Sequence, residues 1–467
     1  MEVKLPDTIQ ECHSLIRNLF AIVETMQAET LALKTELEQV KARLKENSQN
    51  SNRPPSSDGF AKRKSALPKH IGKRGGQKGH SGNTLKKVAE PDLIIDCYPR
   101  SCECGNSTFD SQTEIADSRQ VFDLPEPRLQ VVEYRRLQQQ CKCGKTLSGR
   151  FPEGVLGQTQ YGVKVQALVA LLSVHGCLSH RKIGDLFEDL YGYQLNEATT
   201  QEMVNRSAEK MPMAEIKAAI EESAVVNFDE TGIREGGKLK WLHTASTSLL
   251  TYQFVHQKRG GEAMKSASSV LSKFQGVGVH DCLASYFGFT EMKHAICNAH
   301  ILRELTGMIE TSESKWCLEM KELLLEMYEK SAKGKVVIKE IGEYEKRYEA
   351  IIARGEEQEE GPQKSPGRGK WKRTKGRNLL ERLSKYKEWV LLFGKLEEVP
   401  FTNNQAERDI RPVKVKQKVS GGFRSERGSR SYSRIHSFLS TMRKMKREVF
   451  QELRSVIEGN SFVLFLT

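Results

Sequence analysis

"AVVNFDETG", residues 224–232, decides how the chain is read. Valines and a phenylalanine form a strand-like run too short for a helix, and the run ends on two acids and a turn glycine. "GVGVHDC", residues 276–282, repeats the pattern, with glycine-bounded valines ending on Asp281. Between them, "KLKWLHTASTSLLTYQFV" (238–255) reads as two more strands. Side chains alternate faces along a strand, so Asp229 and Glu230 do not both enter one site. One acid per strand end is the geometric reading, and adjacent strands bring Asp229 and Asp281 close together.

Two nearby carboxylates repel unless a cation sits between them. Mg2+ (or Mn2+) takes oxygen ligands, and a pair of such ions about 4 Å apart serves phosphoryl transfer. That chemistry wants a third acid, and "FTNNQAERDIRPVKVKQKVSGGFRS" (401–425) supplies Glu407. Asn403 or Asn404 is a candidate N-cap for a helix starting there. Glu407 and Asp409 lie about 200° apart on that helix, so only one faces the metals. Asn403 and Asn404 share the Glu407 face and are candidates to bond it or DNA. Arg411, Lys414, Lys416, Lys418 and Arg424 are too densely spaced for base readout by one helix face. They are expected to hold phosphates, with Gly421-Gly422 letting backbone approach DNA.

Composition agrees with a nucleic-acid partner. The 467 residues carry a formal charge of +13, with 28% charged and 38% hydrophobic residues. Length suggests roughly two to four domains, and the charge suits DNA. No run of about 18 apolar residues predicts a membrane span. The start "MEVKLPDTIQECHS" lacks a secretory pattern, so a cytoplasmic, nucleoid-associated location is expected. Ten cysteines in that setting suggest reduced thiols or metal ligands.

Ahead of the acids, the chain is expected to carry four segments. In residues 1–46, Ile16, Leu19, Val23, Met26, Thr30, Leu33, Leu37, Val40 and Leu44 form an a/d seam, predicting a coiled coil and a chain that is at least dimeric. Residues 47–90 read as a flexible basic linker, with ten Lys/Arg and the single acid Asp58 between Arg53 and Lys87. Residues 91–155 hold "CECG" (Cys102, Cys104) and "CKCG" (Cys141, Cys143), separated by "VFDLP" and "LQVVEYRRLQQQ", which read as strands. Four thiolates in a zinc-ribbon-like module would bind structural Zn2+. The C-x-C spacing is one residue shorter than the usual knuckle, Cys97 is a substitute ligand, and a metal-free ribbon is the alternative. Residues 156–222 read as a helical, helix-turn-helix-like unit able to dock on DNA.

These stretches, together with "NSQNSNRPPSSDG", "DETGIREGGKLKWLHTAST", "VHDCLASYF" and "CNAHILREL", make the chain resemble the DDE transposases of the insertion-sequence sixty-six family over nearly its whole length. The resemblance implies a multidomain α+β protein whose catalytic domain (223–450) is RNase H-like, followed by a tail at 451–467. It implies a catalytic, metal-binding triad of Asp229, Asp281 and Glu407. The implied activity is metal-dependent strand cleavage and strand transfer on element ends and target DNA. Companion proteins of the same element are left open as partners. A hydrolytic nuclease and a non-catalytic DNA-binding accessory protein are the alternatives.

Fifty-two positions separate Asp229 from Asp281, and 126 separate Asp281 from Glu407. The longer gap predicts a helical insertion over about 311–396. Its basic stretch, "PQKSPGRGKWKRTKGR", offers Trp371 to stack on an unpaired base. In "CNAHILREL", Cys297 and His300 share a helix face, and zinc would need two further ligands that the sequence does not identify. A Cys-x-x-His helix recurs in several DDE transposase families, and His300 is expected near the active site, supporting a catalytic group or touching DNA.

Overall fold

The computed structural model describes residues 8–51, 85–98, 103–105, 107, 114–312, 314–331, 336–362, 371 and 373–464. Most of the expected basic linker, Cys102, and most of the basic stretch around Trp371 lie outside them. The chain divides into two units. One comprises Met1–Pro68, Tyr161–Ile183 and Asn196–Thr467; the other comprises Lys69–Gln160 and Gly184–Leu195.

Helix α1 (Ile9–Lys45) starts at a capping box. Thr8 Oγ1 accepts from Glu11 N at 3.3 Å, and Glu11 returns the bond to Thr8 N at 3.2 Å. Its seam is bare: Leu19, Val23, Leu33 and Leu37 are all exposed, Leu33 at 66%. Just beyond the helix the chain is tethered, with Asn50 donating to Glu310 at 2.6 Å.

In the cysteine module the strands are shorter than expected. β1 (Gln138–Gln140) and β2 (Thr146–Ser148) form a small antiparallel hairpin around the second cysteine pair. "VFDLP" and residues 129–137 are not strands. Their apolar residues lack a packing surface, with Val131 80% exposed, and β-propensity acts only through such neighbours. Pro125 and Pro127 further deny the segment ladder donors.

Helices α2 (Val163–Val174), α3 (His180–Tyr191), α4 (Glu197–Glu209) and α5 (Met213–Glu221) follow. Asn196 caps α4, its Oδ1 accepting from Ala198 N at 2.8 Å. Met203, Val204 and Ala208 of α4 are buried, and α4 packs on α2.

A five-stranded sheet comes next: β3 (Val225–Glu235), β4 (Lys238–Ser246), β5 (Thr251–His256), the short helix α6 (Gly261–Met264), then β6 (Val277–His280) and β7 (Lys293–Ile296). Spatial order is β5-β4-β3-β6-β7. β3, β4 and β5 are antiparallel, whereas β3–β6 and β6–β7 are parallel.

Helices α7 (Asn298–Ser312), α8 (Lys315–Lys330), α9 (Ile341–Gln358), α10 (Lys375–Lys385), α11 (Lys387–Val390) and α12 (Leu392–Lys395) occupy the long gap. They do not build a separate core. Trp316, Met320, Leu324, Tyr348 and Leu380 join Val277 and Val279 of β6 in one buried cluster. The chain then returns to the sheet as α13 (Asn404–Ser420), α14 (Glu426–Lys444) and α15 (Val449–Glu458). α13 lies against β3 and β4, and α14 against β5. Among the described residues, no helix is long and apolar enough to cross a membrane.

Candidate active site

The spacing between the two aspartates equals the register of the sheet. β3 and β6 pair in parallel as Val225↔Val277, Val226↔Gly278 and Asn227↔Val279. Carried two residues further, that register sets Asp229 level with Asp281, one residue past the end of β6. Neighbouring strands lie about 4.8 Å apart, and residues in parallel register point to the same face. Cys282 then takes a left-handed backbone with φ 74°. That conformation is rare for a side chain with a Cβ and turns the chain sharply away just past the acid.

Glu407 reaches the same locality from α13. Burial first, then the neighbouring Glu230, Asp281 and Glu407 carboxylates, raise the Asp229 pKa well above the ordinary value. Asp281 and Glu407 therefore both act on Asp229. The oxygens of the three acids do not all close to within 4.8 Å. Carboxylates that add to the repulsion at Asp229 fit a hard divalent cation, whose oxygen-ligand chemistry would relieve it.

Asn403 does not serve the role expected of it. It occupies the N-cap position of α13, but its side chain caps nothing. Its amide instead donates to Phe228 O at 2.7 Å and accepts from Asn227 Nδ2 at 2.9 Å. At 1% exposure it has no face for DNA. It pins the Glu407 helix to the strand residues just before Asp229. Its backbone N–H also donates to Cys297 Sγ at 3.1 Å.

Asp409 faces away, as the helix geometry requires. It accepts from Lys444 Nζ at 2.6 Å and Thr251 Oγ1 at 3.1 Å, tying α13 to α14 and β5.

Glu230 lies on the opposite strand face from Asp229, yet it is not isolated from Asp281. Its carboxylate, 1% exposed, accepts from Tyr286 Oη at 2.7 Å and Arg259 Nε at 2.9 Å. The Arg259 guanidinium also comes within 4.0 Å of Asp281 and covers the Trp241 ring at 5.0 Å. Burial and then the Asp281 charge raise the Glu230 pKa. Sequence reading missed Arg259; nothing in "HQKRGG" distinguishes it from its basic neighbours.

His280, the last residue of β6, is buried and bonded to His294 at 3.0 Å. Burial lowers its pKa to about 3, so it stays neutral. His300, at the start of α7, stands beside Cys297 and Glu407, with these three ligand atoms within 4.8 Å of one another. Burial opposes its charge, but the Cys297 sulfur and, more weakly, Glu407 lift its pKa to about 9.

The candidate DNA-contacting residues sort by burial. Arg411, Lys414, Lys418, Arg424, Asn404 and Trp371 are exposed, and Lys416 is half-buried. Lys414 donates to Gly232 O at 2.5 Å, onto β3. Lys416 donates to Ser173 O and Leu178 O, both at 3.1 Å, at the end of α2. Its ammonium is bonded to these two carbonyls rather than free.

The second cysteine pair sits in a tight turn. Gly144 N donates to Cys141 O at 2.8 Å, and Gly144 takes φ 85°, as Gly105 takes φ 84° after the first pair. Cys104, Cys141 and Cys143 are exposed. Bonds from the Cys143 backbone and side chain lower the Cys141 pKa.

The run expected to end at Asp229 and Glu230 instead continues through Gly232 to Glu235, so Asp229 sits within β3 while Asp281 lies just past β6, with the basic helix α13 against the same sheet. The family model described as "Transposase IS66 family" matches residues 158–431. The chain belongs to that family and is a transposase. A second model, for a family of unknown function, matches residues 3–86. No curated protein matches the chain.

Proposed function

We propose that the chain cuts and joins DNA by divalent-metal-dependent polynucleotidyl transfer, with Asp229, Asp281 and Glu407 as the catalytic acids of an RNase H-like core. The observation that carries this reading is the electrostatic convergence on Asp229 of Asp281, in register with it, and Glu407, from the far end of the chain. The sheet order, with three antiparallel strands flanked by two parallel ones, supports the RNase H-like reading.

Asp229, Asp281 and Glu407 would hold Mg2+ or Mn2+. Such ions supply activation of the attacking oxygen and charge stabilisation at the leaving oxygen. The chain's residues do the rest. Asn403 sets the position of the Glu407 helix, and Arg259 balances charge behind Asp281. Arg411, Lys418 and Arg424, with Asn404, hold phosphates in register, and Trp371 stacks on an unpaired base. Water is the first nucleophile and the freed 3′-hydroxyl is the second, with no covalent protein–DNA intermediate.

The partners are element ends, target DNA and further copies of the chain through α1, whose exposed seam supports self-association. The Cys102, Cys104, Cys141 and Cys143 module is assigned one structural Zn2+, and the helical segment 156–222 a DNA-docking role. The reaction is tested by incubating purified protein with labelled element ends, target plasmid and Mg2+. Joined product is expected; cleaved ends alone, with no joined product, would reduce the activity to that of a nuclease.

A further inference from the structure

Cys297 and His300 carry only two of the donors that a thiophilic metal needs, and the sequence offers no obvious third. The fold supplies it from 107 positions beyond His300. At the start of α13, Glu407 brings a carboxylate oxygen within 4.8 Å of both the Cys297 sulfur and a His300 ring nitrogen. Two polar atoms of this cluster, His300 Nδ1 and Glu407 Oε1, are buried without a hydrogen-bond partner. Buried polar atoms are normally satisfied, so two orphans in one three-residue cluster point to a missing ligand. Cys297 itself is fully buried and accepts from the Asn403 backbone N–H.

We propose that Cys297, His300 and Glu407 form a three-ligand site for a thiophilic divalent cation of the Zn2+ type, with a fourth position open to water. The donor set separates it from the hard-cation site. Thiolate and imidazole suit Zn2+, whereas Mg2+ takes oxygen ligands and leaves thiolate unused. Zinc bonds of about 2.0–2.3 Å set tetrahedral edges of roughly 3.3–3.8 Å. Closing from the observed separation takes side-chain movement on the order of 1 Å. One Glu407 oxygen faces this cluster, while Oε2 lies 3.9 Å from Arg411 Nη2. A single carboxylate can therefore serve this ion through one oxygen and the catalytic centre through the other. The site goes beyond the transfer reaction proposed above: it locks the first turn of α13 to the first turn of α7 and so fixes the third acid.

The test uses the full chain and Co2+ as the probe, because thiolate-bound Co2+ shows charge-transfer absorption that oxygen-bound Co2+ lacks. The difference between wild type and Cys297→Ser isolates this site from the exposed cysteine pairs. The expected result is one thiolate-bound Co2+ per chain in that difference, displaced by Zn2+ but not by excess Mg2+. His300→Ala and Glu407→Gln should each weaken it at least tenfold. Wild type and Cys297→Ser binding the same amount of Co2+ with the same spectrum would overturn the proposal. If Cys297→Ser does not fold, Glu407→Gln decides: unchanged Co2+ affinity there overturns it, and the tenfold loss supports it. Asp229→Asn should keep the cobalt signal whatever it does to DNA joining, so a failure of this site and a failure of the transfer chemistry are told apart.

Discussion

Helices α1 and α13 are both long and charged, and each begins near polar residues suited to capping, yet they are held in opposite ways. α1 is built from local rules alone. Thr8 and Glu11 cap it reciprocally, and along its length the apolar seam meets solvent. α13 gives up its side-chain cap altogether. Asn403 turns inward to Phe228 and Asn227, Asp409 to Lys444 and Thr251, and Lys416 to the end of α2. A helix that must hold one carboxylate in place uses its polar residues as tertiary anchors. A helix that must find a partner leaves its apolar residues uncovered. On the proposed function, the difference separates the part that would position chemistry from the part that would assemble copies.

The sharpest way to break that contrast is to remove the charge that α13 is placed to meet. Asp229→Asn should reduce strand joining by at least 10²–10³-fold, roughly the cost of deleting one preorganised electrostatic group. The same change should raise stability near neutral pH. Its carboxyl has a raised pKa in the fold, so its protonated form is favoured there. Stability is therefore lost as pH climbs above the ordinary carboxylate value toward the raised one. Thermal unfolding should show a higher Tm for Asp229→Asn at pH 7 and a shrinking gap as pH falls. A lower Tm at neutral pH would mean that the Asp229 carboxylate is stabilised by its surroundings, not strained.

Deleting residues 9–45 should at least halve the mass measured by light scattering, because it removes the uncovered seam while leaving the α13 anchors intact. An unchanged mass would place self-association elsewhere.

Asn403→Ala tests the anchors. It leaves the Phe228 carbonyl and the Asn227 amide without partners in a buried setting, at a cost of about 1–3 kcal/mol. Chemical denaturation should show that loss, and joining should fall while DNA affinity holds. Weaker DNA binding with unchanged stability would return Asn403 to the DNA-contact role its sequence suggests.

The smallest effect separates two lysines two positions apart. Lys418→Ala should flatten the salt dependence of duplex binding by about 0.9 log unit, the value for one lost phosphate contact. Lys416→Ala should leave the slope alone and lower Tm. Equal slopes in both variants would dissolve the distinction drawn between them.

Much of this arrangement is written locally and can be read as such. Short valine runs mark β3 and β6, and the interval from Asp229 to Asp281 matches their register because parallel partners advance together. The α1 heptads and the Asn196 cap are equally local. What sequence reading misses depends on distant partners. "VFDLP" has strand composition but no sheet to join. Asn403 meets every local criterion for a cap and is overridden by Phe228 and Asn227, 175 positions and more away. Arg259 acquires meaning only when β5 delivers it to Glu230. Cys297 and His300 announce a helix face, but their third companion arrives from another segment. In each case the deciding energy is tertiary, and no spacing within the motif encodes it.

The central claim is that Asp229, Asp281 and Glu407 share one divalent-metal centre when DNA is bound. A crystal structure of the DNA complex in Mn2+, with the ions located by anomalous scattering, tests it most directly. The account predicts an ion between Asp229 and Asp281 and Glu407 ligating the same one- or two-ion centre, with metal–oxygen distances of about 2.1 Å. Carboxylates of any two of these residues more than about 10 Å apart, too far to share bonds of that length, would contradict it. So would an ion held by Glu230 and Asp281 in place of Arg259.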